Sequence, residues 1–275
     1  MSGDNSVTFG LTQAETSESA LDVIAVGAHP DDVEIGCGGT IALLAEQGYR
    51  VGIIDLTDGE PTPGSPGPEV RLAEAKRAAE ILGAVVRRTL SFPNRRLMDG
   101  LEVRVALARE FRRFRPRLVL GIGAGTPLAS PDHFQAREIT TAAVFYSRLT
   151  KWEAYFGDLQ PYQIPAYWHY FLAYRHLHVP AECPIVVDIS RTLEKKLAAI
   201  AAYRSQFSGE KAAFLDRVRV FNQQQGLAAG FAAGEILSPT GPLGVRDLMG
   251  LIFGRRESGE ANPTSVHTVD WQVLS

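Results

Sequence analysis

Apolar positions along the chain fall into short unbroken runs that alternate with longer stretches of three-to-four-residue spacing. The runs "LDVIAVGAH" from Leu21 and "RVGIIDLTDG" from Arg50 are of the kind buried on both faces of a parallel sheet, and "TIALLAEQGY" between them has helical spacing. The helix "EVRLAEAKRAAEILG" follows, started by Pro68 and Glu69 and ended by Gly83. Then come strand "AVVRRTLSF", helix "LEVRVALAREFRRFRP", strand "RLVLGIGAG" and helix "HFQAREITTAAVFYSRL". Such alternation with short connections predicts right-handed crossovers and an α/β sheet covered on both faces. Beyond residue 150 the pattern loosens. "IPAYWHYFLAY" and "CPIVVDIS" read as strands, "RTLEKKLAAIAAYRSQF" as a helix with Ser190 as N-cap, and "EKAAFLDRVRVFNQQQG" as another helix before a Gly/Ala-rich stretch. Residues 1–20 read as a mobile leader, 21–254 as one domain and 255–275 as a tail.

Composition narrows the function classes. The chain has 275 residues, 45% hydrophobic and 21% charged, which is ordinary for one globular core. A net charge of -3 gives no global reason to expect nucleic acid or an anionic membrane as partner. The basic clusters "RRTLSFPNRR" and "RRFRPR" lack interleaved aromatics and read as solvated helix ends and a loop. No stretch approaches the ~18 uncharged apolar residues of a membrane span, and the first twenty residues have neither the basic nor the apolar region of a secretion signal. Cys37 and Cys183 are far apart, which argues against a disulfide framework or a thiolate zinc site. A soluble cytoplasmic protein is expected.

Chemistry concentrates at strand ends, where open parallel sheets bind ligands. His29, Asp31, Asp32 and Glu34 follow the first strand, Thr57, Asp58 and Glu60 the second, and Ser130, Asp132 and His133 the fourth. His29 and Asp32 can face one point, and His133 would complete a set of two imidazoles and one carboxylate with a position left open for water. That set suits Zn2+ and equally Fe2+. Asp31 then stands beside the metal without ligand duty, placed to take a proton from water. H-x-x-D alone is weak, being commoner as a hydrogen-bonded loop whose aspartate caps a helix; the second histidine at a second strand end strengthens it. "GCGGT" is no dinucleotide loop, since Ile41 stands where the last glycine is needed, and Cys37 reads as a small buried residue.

"AHPDDVEIGCGGT", "TDGE", "RLAEAKRAAEILGA", "SPDH" and "VVDISRTLEKKLAAIAAYRSQF" together resemble the LmbE-like, or PIG-L, family of zinc-dependent deacetylases, over most of residues 21–250. The later segments are most similar to the branch of N-acetylglucosaminyl-malate deacetylases of bacillithiol biosynthesis. The resemblance implies a Rossmann-like three-layer sandwich with a mostly parallel sheet, and zinc on His29, Asp32 and His133. It also implies Asp31 as general base, catalytic roles for Ser130 and Asp132, an N-acetyl amino sugar as substrate, and a homo-oligomer, trimer or hexamer. Arg71 and Glu60 are implied substrate contacts, Arg71 for an anionic aglycone. One departure stands out: Ser130 occupies a place where the family commonly has histidine, and a serine hydroxyl can donate to an oxyanion but cannot be a cation. His169, His176 and His178, with Tyr167 as a neutral donor, are candidates to substitute. The competing readings are a silent metal- or sugar-binding protein and a hydrolase of another acylated amine or ester.

Overall fold

The computed structural model describes residues 19–124, 126, 128–172, 180–208 and 213–253. The leader, the tail, and the candidate donors His176 and His178 lie outside the described residues or almost wholly so. In chain order the elements are β1 (Val23–Gly27), α1 (Asp32–Glu46), β2 (Val51–Thr57), α2 (Pro68–Leu82), β3 (Val86–Phe92), α3 (Leu101–Phe114), β4 (Leu118–Ile122) and α4 (Asp132–Tyr146). After these come α5 (Glu153–Phe156), β5 (Ala166–Tyr170), β6 (Ile185–Asp188), α6 (Leu193–Ala201), α7 (Ala213–Leu227), β7 (Gly234–Pro239) and α8 (Leu248–Phe253).

The seven strands form one sheet in the order β3-β2-β1-β4-β5-β7-β6. The chain runs outward from β1 to β3, then returns to place β4 on the other side of β1, and both neighbours of β1 are parallel to it. Reversing direction with right-handed crossovers moves the helices to the opposite face. Accordingly α1 and α2 pack with α6, and α3 packs with α4. Val23 to Val26 and the whole of β2 are buried, as both-face coverage requires. The α/β expectation and the order of the first eight elements stand, with α1 beginning at Asp32, ahead of the expected helical run from Thr40.

Besides the short helices α5 and α8, which the sequence reading lacked, three features differ from it. β7, within "GEILSP", was not expected; it inserts antiparallel between β5 and β6. Ser190 does not cap α6. Its hydroxyl donates to Asp188 and accepts from the Ala233 amide, while Thr192 occupies the N-cap position and the helix stops at Ala201. The basic clusters are not wholly solvated. Arg87 is held between Asp55, at 2.8 and 3.0 Å, and Glu34, and the Arg112 guanidinium donates to the carbonyls of Ser147, Leu149 and Leu159. A guanidinium has five donors, and burial obliges it to satisfy them.

α1 breaks at Cys37, which is non-helical at φ -143° and ψ 20°. A side chain at Gly36 would strike the Tyr170 ring at 2.2 Å, so this position must lack one. Tyr170 lies there because its hydroxyl donates to the Val26 carbonyl. Past the break the helix restarts on a carboxylate: Glu235 of β7 accepts the amides of Gly39 and Thr40 and the ammonium of Lys196, and both charged side chains are fully buried. "GCGGT" thus encodes a helix break, and Cys37 is buried in it.

Candidate metal centre

β1 and β4 are adjacent, and the chain leaves them in opposite directions, so the loops beyond their carboxyl ends meet at the switch point of the sheet. His29, Asp32 and His133 come together there, each buried, each offering a ligand atom within 4.8 Å of the others. Asp32 Oδ2 accepts the backbone amides of Ala28 at 3.0 Å and His29 at 2.9 Å, which locks the turn. Its two oxygens face the imidazoles, Oδ2 at 3.4 Å from Nδ1 of His29 and Oδ1 at 3.2 Å from Nε2 of His133. Burial works against ionising Asp32, but the two histidines hold it well below the usual carboxylate range. Burial likewise disfavours a charged His29, yet its bonds to Asp132 and Asp32 raise it to about 10. Two nitrogens and one anionic oxygen, preassembled and drawn together by opposite charge, fit a divalent cation of borderline softness.

The remaining ring nitrogens are occupied. Nε2 of His29 lies 3.2 Å from Asp132 Oδ2, and Nδ1 of His133 lies 3.1 Å from the Thr126 hydroxyl. Such outer contacts fix which nitrogen faces a metal. Asp132 is itself held by the Arg95 amide at 2.6 Å, and Ser130 Oγ accepts the Asp132 amide at 3.3 Å, leaving its proton free to donate.

Asp31 sits beside this group with no ligand partner. Its φ of 114° is a conformation that costs a non-glycine residue roughly 1–3 kcal/mol. Arg71 holds it, one guanidinium nitrogen donating to Asp31 Oδ2 at 2.9 Å and to the Pro30 carbonyl at 2.5 Å. Burial raises the Asp31 carboxyl to about 6 although Arg71 pulls the other way. Arg71 is therefore not an exposed charge on a helix; it is 3% exposed, with Nε and Nη1 lacking partners. Thr57 binds the Ala28 carbonyl, and Glu60 Oε2 accepts the Thr62 amide while Oε1 is buried without a partner. Tyr167 and His169 lie on β5 and are not in the ligand cluster. Sequence reasoning missed Thr126, the Arg95 amide and the contact of Arg71 with Asp31; no local spacing signals them.

Fold and site together define a class: an α/β protein with a buried two-histidine, one-carboxylate group at the switch point of its sheet. A family model described as PIG-L, GlcNAc-PI de-N-acetylase, matches residues 24–144. The chain is 36% identical over 196 residues to the diacetylchitobiose deacetylase of Thermococcus kodakarensis, covering 67% of this chain and 70% of the relative. It is 32% identical over 160 residues to the 1D-myo-inositol 2-acetamido-2-deoxy-alpha-D-glucopyranoside deacetylase of Rhodococcus erythropolis, covering 46% of this chain and 53% of the relative. The solved N,N'-diacetylchitobiose deacetylase of Pyrococcus horikoshii superposes with a TM-score of 0.71 at 26% identity, covering 79% of this chain and 83% of that one. The chain belongs to the PIG-L family, whose relatives named here are deacetylases and hence amide hydrolases.

Proposed function

We propose that this protein is a metal-dependent N-deacetylase acting on an N-acetylglucosamine-type glycoside, with His29, Asp32 and His133 holding the metal and Asp31 as general base. The observation that carries the reading is Asp31: a carboxylate in a costly backbone conformation, fixed by a buried arginine beside three metal donors yet not one of them. A binding protein has no use for that arrangement. The substrate class follows the relatives, which act on N-acetylglucosamine units joined to different partners.

A zinc ion in the site would supply Lewis acidity to the acetamide carbonyl and to a water molecule. Asp31 takes the proton from the attacking water, and Arg71 keeps the carboxylate aimed. The Ser130 hydroxyl donates to the oxygen that gains charge, and the proton held by Asp31 passes to the departing amine as the C–N bond breaks. Asp132 keeps His29 oriented. One Arg71 nitrogen serves Asp31 and Pro30, while Nε and Nη1 have no hydrogen-bond partner, so the proposed contact of Arg71 with an anionic aglycone stays within the reading. A homo-oligomer and a cytoplasmic setting remain part of the reading; among the described residues no helix is long and apolar enough to cross a membrane.

The test is Asp31→Asn, assayed with diacetylchitobiose and a panel of N-acetylglucosamine glycosides by release of primary amine. Turnover should fall by about 10²-fold or more, with metal content unchanged by elemental analysis. Full activity in the variant, or no amine released from any glycoside by the zinc-loaded wild type, sinks the proposal.

A further inference from the structure

Between α4 and the segment carrying β5 runs a groove of about 530 Å³ that the deacetylase reading leaves unused. One wall is a stripe of α4 at helical spacing, Arg137, Thr141 and Val144, extended by Arg148 just beyond the helix. The other wall is Tyr167 and His169, alternate positions on one face of β5, with Pro165 just before the strand. A Cβ at Gly121 of β4 would lie 3.0 Å from the Tyr167 ring and hydroxyl, so the bare backbone there leaves room for that ring. His133 stands one turn ahead of Arg137 on the same helix, and none of the three metal donors lines the groove.

Its charge is one-sided. Two arginines line it and, among the described residues, no carboxylate does. The acid nearest Arg137, Glu138, is a loose contact at 3.8 Å between side chains about 40% exposed. Arg148 lies over the Phe145 ring, 4.6 Å from its centroid. Nε2 of His169 is buried with no hydrogen-bond partner. Burial, with the positive charge of Arg137, holds that imidazole down to about 4, so it is neutral and close enough to feel the guanidinium. A buried polar atom left unpaired is unfavourable unless a ligand satisfies it. The cavity is within the usual range for small-molecule sites, and Thr141, Gln163 and Thr240 add groups that match sugar hydroxyls beside an aromatic ring.

We propose that this groove binds an anionic saccharide, its carboxylate or phosphate received by Arg137 and Nε2 of His169 and its ring laid against Tyr167. Binding here does not depend on turnover at the metal centre. The probes are D-glucuronate and glucose 6-phosphate, with glucose as the neutral control, titrated calorimetrically into the zinc-loaded full chain. The anionic sugars should bind about tenfold or more tightly than glucose, and Arg137→Gln should weaken them by a similar factor. His169→Asn, checked for native circular dichroism, provides a second variant should Arg137→Gln fail to fold, and is expected to weaken binding too. His29→Ala should leave binding intact. The proposal falls if glucose binds as well as the anions, if anion binding survives both groove variants, or if it vanishes in His29→Ala and so belongs to the metal.

Discussion

Oδ2 of Asp132 accepts from Nε2 of His29 and from the Arg95 amide, so its capacity is largely committed before any substrate arrives. That makes it a positioning residue for a ligand histidine more than a proton carrier. Asp132→Asn should lower metal affinity about 10- to 100-fold, read by competition with a chelator, while turnover at saturating zinc falls less. The opposite split, with affinity kept and turnover lost, would return Asp132 to the reacting atoms. His29, Asp31, Asp32 and His133 were readable in the sequence because three lie in one turn and the fourth follows the neighbouring strand. Arg71 was readable as a candidate but not in its role, since its partner lies 40 positions earlier and only folding brings α2 against the β1 loop. Tyr167 and His169 were named as candidate donors from side-chain type; both lie on β5 and line the groove along α4.

α1 shows what an element owes to partners far away. Its second segment starts on Glu235, whose other duty is to neutralise Lys196, and both are sealed from water. Glu235→Ala leaves that ammonium buried and unpaired, at a cost of about 3–5 kcal/mol, which urea unfolding should register as a large fall in midpoint. Glu235→Gln, which can still accept from the helix amides, should cost less; equal losses would mean that the charge on Glu235 carries the effect and that capping adds nothing. The crossover elements β1 to α4 were legible because each follows its neighbour in sequence and carries its own apolar period. β7 was not: "GEILSP" is short, follows a Gly/Ala-rich stretch, and pairs with β5 and β6 from which α6 and α7 separate it. The break in α1 was hidden for a similar reason, because Gly36 answers to Tyr170, a residue of another strand.

At the scale of the whole molecule, the metal centre joins loops from two strands that the chain reaches by opposite routes. Ligand that binds only the folded chain adds stability by mass action, about 4 kcal/mol at a thousandfold excess over Kd. Zinc should therefore raise the unfolding temperature by several degrees, and a chelator should reverse it; no shift in His29→Ala would locate the effect. Beneath the centre, Asp55 and Glu34 share Arg87, and burial pushes the Asp55 carboxyl up to about 6 against its ordinary 3.8, with Arg87 opposing. The folded chain holds that proton more tightly than the unfolded chain does. The contribution is thus complete below about pH 4 and is lost as pH rises through 6, roughly 3 kcal/mol in all. Unfolding midpoints of wild type and Asp55→Asn should diverge across that window, wild type declining; a gap that stays constant removes Asp55 as the titrating group.

The cap that Glu235 places on α1 also dictates an order of events during synthesis. Residues 39 and 40 leave the ribosome almost two hundred codons before the glutamate they need, so at roughly 5–20 residues per second the nascent chain waits on the order of ten seconds or more with that helix start unmet. A premature stop ahead of codon 235 would release a polypeptide that already contains every metal donor yet has no means of closing the scaffold around them.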